Sequence, residues 1–453
     1  MTKYHKNIKT KQSSEDQFRF QNGGYMELQR AETSKTMQIR PSINDPLDDV
    51  AVTFLLSHCI QGSNFEYLPV LYTACDINSV LSSALKAVGF ASLSLYASRF
   101  ELRHQALTFY SQAITKVNKA LTSHDSAQHD DVLASIMLLS LYEALTLCKT
   151  RDTKAWSSHV HGAWSLVILR GPQQLQSKVG LELFKQIATG VKLLCIQNCV
   201  RLPLQLRQWV EYGLRNSQTP DAASAQPSAT GAFTDLRVDI AEGLLSDSDD
   251  IISRCETVLQ LVEDFLVIHL PSERHEKVAI EPTGIASPRK FYINFRNHHI
   301  TNAWNTAWMA KLALNNMIYQ QELRALKVTD LSPKGVASPV SRVVRAAMAQ
   351  EEVSKAAENI CATVPQSFQV DVPQKLSDKS STNVFKASSL VWPLFQVGAN
   401  PLVTVSTKDY IVNTLRYIAS EFKLPQAQWA GDLIEEGADD EDWVHMYHAF
   451  YAF

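Results

Sequence analysis

Two histidines separated by one residue are the first candidates for chemistry in this chain. His159 and His161 stand in the stretch WSSHVHGAW, residues 156–164. On a strand, residues i and i+2 point the same way and two imidazoles can bind one metal ion. On a helix the same two residues diverge by about 200°. The local backbone therefore decides whether this pair is a metal site.

The pattern around the pair favours a helix. Apolar residues recur at three- and four-residue spacing, and a glycine stop followed by proline ends the run in Arg170, Gly171 and Pro172. A shared metal ion is excluded by that geometry. We predict that His159 is buried or half-buried and hydrogen-bonded to an adjacent element.

Two short acid-x-x-histidine pairs are a second metal candidate. Glu101 and His104 form one pair, and Asp442 and His445 form the other. Helical di-iron proteins use Glu-x-x-His because residues i and i+3 project together toward one centre, but they also need two further inward carboxylates. We predict that both pairs face solvent, and a helical di-metal enzyme remains the alternative.

The motifs that mark the common enzyme and zinc-binding classes are absent from this sequence. The seven cysteines include no C-x2-C spacing, which argues against zinc ribbons and fingers. Cys195 and Cys199 lie four apart, and their apolar neighbours indicate packing in place of metal binding. Dinucleotide, P-loop, nucleophile-elbow, zinc-protease and kinase motifs do not occur in the sequence. We predict no catalytic residue, no cofactor and no metal, and reduced thiols inside the cell.

Composition and periodicity indicate an all-α protein. The 453 residues are 45% hydrophobic and 20% charged, with a net charge of −3, so the overall field does not favour nucleic acid. Helical periodicity recurs throughout, including 99–122, 289–324 and 343–361, and no segment alternates convincingly as a strand. We predict a large multi-helix domain in two packed helical lobes.

Four segments are predicted along the chain. Residues 1–43 form a disordered polar and basic segment, read as a solvated tail with a nuclear-import or DNA-backbone arm as the alternative. The first helical lobe covers 44–215, the low-complexity linker 216–235, and the second helical lobe 236–453. The acidic, aromatic C-terminus is predicted to be a docked helix, with an activation segment as the alternative.

Several motifs together resemble the fungal-specific transcription factor domain, the regulatory region of zinc binuclear-cluster transcription factors. DDVLASIMLLSLYEAL and HQALTFYSQAITKVNKAL resemble two of its helices. NAWNTAW departs from its usual pattern at Ala307 and Trp308. The other residues that carry the resemblance, with a structural role implied, are Trp156, His159, Gly162, Ala163, Arg170, Gly171, Trp304, Asn305, Trp392 and Pro393.

The resemblance implies a fungal-type transcriptional regulator in the nucleus, with the cytoplasm as the alternative. Family members usually begin with a six-cysteine zinc cluster that reads DNA, whereas residues 1–58 here contain no cysteine. We therefore expect no sequence-specific DNA contact and no membrane association from this chain. Its expected partners are other transcription proteins, including a DNA-binding factor. Four further possibilities remain open: a small-molecule effector, a homodimer, control of a secondary-metabolite gene cluster, and a zinc module lost from the gene model.

Overall fold

The computed structural model describes nine stretches of the chain: 46–60, 63–146, 154–216, 227–269, 275–279, 291–295, 298–328, 338–368 and 384–438. These stretches are overwhelmingly helical, which confirms the all-α class. In the part of the chain that the structure describes, no helix is long and apolar enough to span a membrane. The predicted tail 1–43 and the predicted C-terminal helix fall outside the described residues.

The amino-terminal helices are α1 (Pro46–Phe54), which continues into a π-helical turn (Leu55–Cys59), α2 (Leu68–Ala74), α3 (Val80–Tyr96), α4 (Leu102–Ala120), α5 (His124–Ala127), α6 (Asp130–Thr146), α7 (Lys154–Arg170), a 3-10 turn (Pro172–Gln176), α8 (Lys178–Gln197) and α9 (Leu204–Asn216). Helix α6 is apolar nearly all round because α3, α4, α7 and α8 enclose it. It is the centre of this part of the fold.

A close backbone contact joins α1 to α3. A Cβ placed on Gly89 would lie 2.6 Å from the carbonyl oxygen of Ala51, which is closer than real Cβ atoms approach. Only glycine therefore permits this approach, and the sequence places it in the middle of α3.

The carboxy-terminal elements are α10 (Pro227–Ala241), α11 (Ser248–His269), β1 (His275–Ala279), β2 (Phe291–Phe295), α12 (His298–Val328), α13 (Pro339–Ala362), α14 (Val364–Phe368), α15 (Val384–Ala399), α16 (Val405–Phe422) and α17 (Pro425–Glu435). Helices α12 and α13 are antiparallel. Glu322, near the end of α12, contacts Arg342 near the start of α13, and Asn305 contacts Thr363 at the opposite end.

The buried apolar side chains of the described stretches form three clusters. The described members of the first lie between Ala51 and Val210. Those of the second and third lie between Ala229 and Ile434. Polar contacts also cross between these parts: the Gln426 side chain donates to the Ala144 carbonyl at 2.6 Å.

The structure corrects the prediction of a helix over 289–324. Residues 291–295 form strand β2, which pairs antiparallel with β1 so that Lys277 faces Ile293, and α12 begins only at His298. Ile293 and Phe295 are buried while Asn294 is exposed, which is the alternation of a strand. The run FYINF is rich in aromatic and β-branched residues, and it was too short to separate from the adjoining helical pattern.

The predicted linker 216–235 is also corrected. Helix α9 reaches Asn216, and α10 begins at Pro227, inside the proposed linker. Ala229 and Thr234 are buried in the fold. The remaining positions, 217–226, lie outside the described residues, and the division into two lobes stays a prediction.

Candidate functional site

A largely buried polar cluster joins three of the amino-terminal helices. The Nε2 atom of His159, on α7, lies 2.9 Å from Oε1 of Glu143, on α6. Tyr110, on α4, donates its hydroxyl hydrogen bond to the same oxygen at 2.5 Å. His159 is only 6% exposed, so this geometry agrees with the predicted buried histidine bonded to a neighbouring element.

Small residues bring the helices of this cluster close together. Ala163, one turn after His159, is fully buried. On the facing helix α8, a Cβ at Gly190 would lie 3.3 Å from the Val160 side chain. Gly162, the neighbouring small residue of the motif, is half-buried. Helix α7 therefore approaches α8 closely enough to hold His159 against α6.

Aromatic stacking supports the acceptor carboxylate. The rings of Tyr110 and Tyr142 stack with centroids 4.3 Å apart, which fixes the hydroxyl that bonds Glu143. The partly buried Glu143 carboxylate accepts a hydrogen bond from Tyr110 and contacts His159, so its loss of water is compensated. The polar groups of this arrangement point toward one another, so their role is to hold α4, α6 and α7 together.

The end of α7 carries a second polar contact. The Arg170 guanidinium pairs with the Asp130 carboxylate at the start of α6. Gly171 follows with φ +70°, a backbone conformation that favours glycine. The Gln174 side chain then donates to the carbonyls of Val167 and Gly171, both at 2.8 Å. The Arg-Gly-Pro sequence thus ends α7 and links it to α6.

The other members of the amino-terminal motif have different positions. His161 is exposed and points away from His159, as the helical geometry predicts. Trp164 is half-buried, with its ring centroid 6.2 Å from that of Trp209 on α9. Trp156 lies on α7, but its side chain is outside the described residues.

Among the carboxy-terminal elements, Trp304 and Asn305 lie on α12. The Trp304 ring packs between Phe295 of β2 and Trp308, at centroid distances of 5.9 and 5.1 Å. Asn305 donates to the Thr363 hydroxyl at 3.2 Å. Ala307 and Trp308, where the sequence departs from the family pattern, are both buried, so the departure is accommodated in the core.

Trp392 and Pro393 lie inside α15. Proline has no backbone N–H, so the helical hydrogen bond to the Ser389 carbonyl is missing. The Ser389 hydroxyl contacts Nε2 of His298, at the start of α12, at 3.0 Å. Burial lowers the pKa of His298 to about 4, with smaller effects from the positive charges of Lys386 and His299. These contacts join α15 to α12.

A buried ion-pair network at the other end of α12 could not be predicted from the sequence. Glu322 is fully buried, with Nη1 of Arg342 at 3.0 Å and Nε of Arg345 at 2.7 Å. Arg342 also reaches Asp249, at the start of α11, at 2.8 Å. The network ties three helices together. Its members lie on three separate elements, so only the fold brings them together.

The candidate metal-binding residues that the structure describes do not come together as a metal site. Glu101 is exposed and ion-paired to Arg99 at 2.6 Å, and His104 is exposed. Asp442 and His445 lie outside the described residues. Within the described stretches, no group of three or more His, Cys, Asp or Glu side chains could hold a metal ion. Burial raises the pKa of the Cys195 thiol to about 11, as expected for a packed cysteine.

The fold and these contacts define a mainly helical body in which polar side chains hold helices to one another. Residues 48–190, which contain the Tyr110, Glu143 and His159 cluster and Arg170, match the family model of the fungal specific transcription factor domain. Over these residues the chain is therefore similar to the fungal specific transcription factor domain. No curated protein and no solved structure matches the chain.

Proposed function

We propose that this chain regulates transcription by binding partner proteins through its helical body, without catalysis and without reading a DNA sequence itself. The observation that carries the proposal is the family match over residues 48–190. The net charge of −3 also disfavours a DNA-binding role for the body, since phosphate contacts need a basic surface.

The interior of the matched segment supports a binding role over an enzymatic one. Glu143 accepts from Tyr110 and contacts His159, so the titratable groups of the motif stabilise helices. Partner recognition then falls to the outer surface that these clamps hold in shape. The finer proposals are location in the nucleus and control of a secondary-metabolite gene cluster, both drawn from the family resemblance.

A tethering experiment tests the regulatory role. The full chain is fused to an unrelated DNA-binding domain, and reporter transcription is measured beside the tether alone. We expect the fusion to change transcription, and we expect Glu143→Leu, which breaks the clamp, to abolish the change. His161→Ala, an exposed substitution two residues from His159, is the matched control and should retain it. A fusion indistinguishable from the tether would overturn the proposal.

DNA recognition is tested separately. The purified chain is titrated against a pool of duplexes at several salt concentrations, and the 5′ end of the transcript is mapped. We expect only weak binding without sequence preference. Sub-micromolar specific binding with a steep salt slope would contradict the proposal. An in-frame cysteine-rich exon upstream would instead make the full protein a zinc-cluster DNA reader.

A further inference from the structure

Ser338 combines exposure, an extended backbone and a following proline. It stands immediately before α13, with φ −60° and ψ 148°, and Pro339 is the first residue of that helix. Its hydroxyl accepts a hydrogen bond from the Ser341 N–H at 3.2 Å, and the residue is exposed. A serine in an extended conformation before proline is the arrangement that proline-directed protein kinases accept.

Two arginines lie along the same side of α13 as Ser338. Residues 342 and 345 follow it by four and seven positions, so all three share one helical face. Side chains in a helix lean toward its amino terminus, which brings the two guanidinium groups toward Ser338. Both arginines also face Asp249, with Arg342 at 2.8 Å and Arg345 at 3.8 Å.

The start of α11 is acidic where it meets α13. Asp247 caps α11 by accepting from the backbone N–H groups of Asp249 and Asp250. The Arg342 guanidinium lowers the pKa of Asp249, so this carboxylate is charged at neutral pH. Asp249 is half exposed and the Arg345 side chain is 35% exposed, so these two residues form the accessible part of the ion-pair network.

We propose that Ser338 is a phosphorylation site for a proline-directed serine kinase, and that its phosphate competes with Asp249 for Arg342 and Arg345. In the transfer step, the Ser338 Oγ forms a bond to the γ-phosphorus of Mg-ATP. The bond from that phosphorus to the β–γ bridging oxygen breaks, ADP leaves, and the hydroxyl proton passes to the kinase base.

The phosphate loosens α11 from α13 by two electrostatic effects. It carries nearly two negative charges and three strong acceptor oxygens, so it outcompetes a single carboxylate for a guanidinium. It also repels the acidic first turn of α11. At the same time it stays favourable for α13 itself, because a negative charge suits a helix amino terminus. The modification therefore shifts one contact without unfolding the helix that carries it.

The site is tested on the full chain with a purified proline-directed kinase, Mg-ATP and site-resolved mass spectrometry. We expect phosphate on Ser338 in the native protein and in Ser341→Ala, a matched control that removes a nearby exposed serine. Pro339→Ala keeps both the acceptor and the cap, and should slow modification of Ser338 by about tenfold or more. Equal rates in the two variants, or no phosphate on Ser338, would overturn the proposal.

The consequence is tested by hydrogen exchange of the first turn of α11. Phosphorylated protein should exchange several-fold faster at residues 249–252 than the same sample treated with phosphatase. Asp249→Asn, which already weakens the link, should start with faster exchange and gain little more from phosphate. Unchanged exchange on phosphorylation of the wild-type chain refutes the competition with Asp249.

Discussion

His159 and Tyr110 approach the same oxygen of Glu143 from two different helices. Nε2 of His159 lies 2.9 Å from that oxygen, and the Tyr110 hydroxyl donates to it at 2.5 Å. Glu143 is largely shielded from water, so removing either donor costs stability, because a polar group left unsatisfied there keeps much of its desolvation cost. The cluster therefore behaves as a unit.

Loss of the His159 side chain should destabilise the amino-terminal helices. His159→Leu leaves Glu143 with one donor, and we expect the free energy of unfolding to fall by about 2 kcal/mol. Urea unfolding followed by circular dichroism measures the change. His161→Leu is the matched control, since this residue is exposed on the same helix and its loss should leave the midpoint in place. Equal effects of the two substitutions would show that the clamp has no special role.

The close contact between α1 and α3 predicts a strong effect of one methyl group. Gly89→Ala places a Cβ 2.6 Å from the Ala51 carbonyl oxygen, and backbone must move. We expect a loss of about 1–3 kcal/mol in the free energy of unfolding. Gly431→Ala on α17 is the control, because its nearest neighbours lie at 3.8 Å and a helical alanine is favourable there. Thermal unfolding of both variants compares them directly.

The buried ion pair predicts a cost when one partner is removed. Arg342→Met takes away one of the two guanidinium groups that face Glu322, which is fully buried, and we expect a loss of about 3 kcal/mol. Lys355→Met is the control on the same helix, since its pairs with Glu351 and Glu352 are exposed. Unfolding curves that shift equally for both would contradict the predicted role of burial.

The lowered pKa of His298 predicts acid sensitivity. Its folded pKa is about 4, against an ordinary value of 6.5. As pH falls from 6.5 toward 4, the unfolded chain binds a proton that the folded chain refuses, so the free energy of unfolding decreases. The loss reaches about 3 kcal/mol and levels off below pH 4.

A variant that does not titrate separates this effect from carboxylate protonation. His298→Gln keeps a donor and acceptor for the Ser389 hydroxyl, and its stability should fall less steeply between pH 6.5 and 4. Urea midpoints measured across this range for both proteins give the comparison. Parallel pH curves would contradict the assignment to His298.

Metal removal should leave the protein unchanged. Glu101 is engaged by Arg99 and both are exposed, which leaves the first acid-x-x-histidine pair without the inward carboxylates of a di-iron centre. We expect elemental analysis to give iron, manganese and zinc far below one equivalent, and a chelator to leave the melting temperature unaltered. A stoichiometric metal lost together with stability would restore the metalloenzyme alternative.

The sequence predicted the all-α class and the helical direction of the His159 stretch because three- and four-residue periodicity is a local property. It also predicted a buried or half-buried His159, since the small residues beside it indicate close packing. Within the helix predicted over 289–324 it failed at residues 291–295, five strand residues that lie shortly before a 31-residue helix. A short strand next to so long a periodic run is hidden by it.

Partners distant in the sequence could not be predicted. Glu322 lies 73 positions from Asp249 and 20 from Arg342, and nothing local marks Glu322 or Arg342 as buried. The pairing of His298 with Ser389 spans 91 positions and depends on how α15 packs against α12. Such contacts follow from tertiary packing and carry no signature in composition or spacing.

The position of the first core cluster has a consequence for biosynthesis. Its described members all lie between Ala51 and Val210, ahead of every residue of the other two clusters. A nascent chain can therefore close this cluster on the ribosome before α12 and α13 emerge. The antiparallel helices α12 and α13 then leave the exit tunnel beside an already compact body. This limits the exposed apolar surface that chaperones must shield.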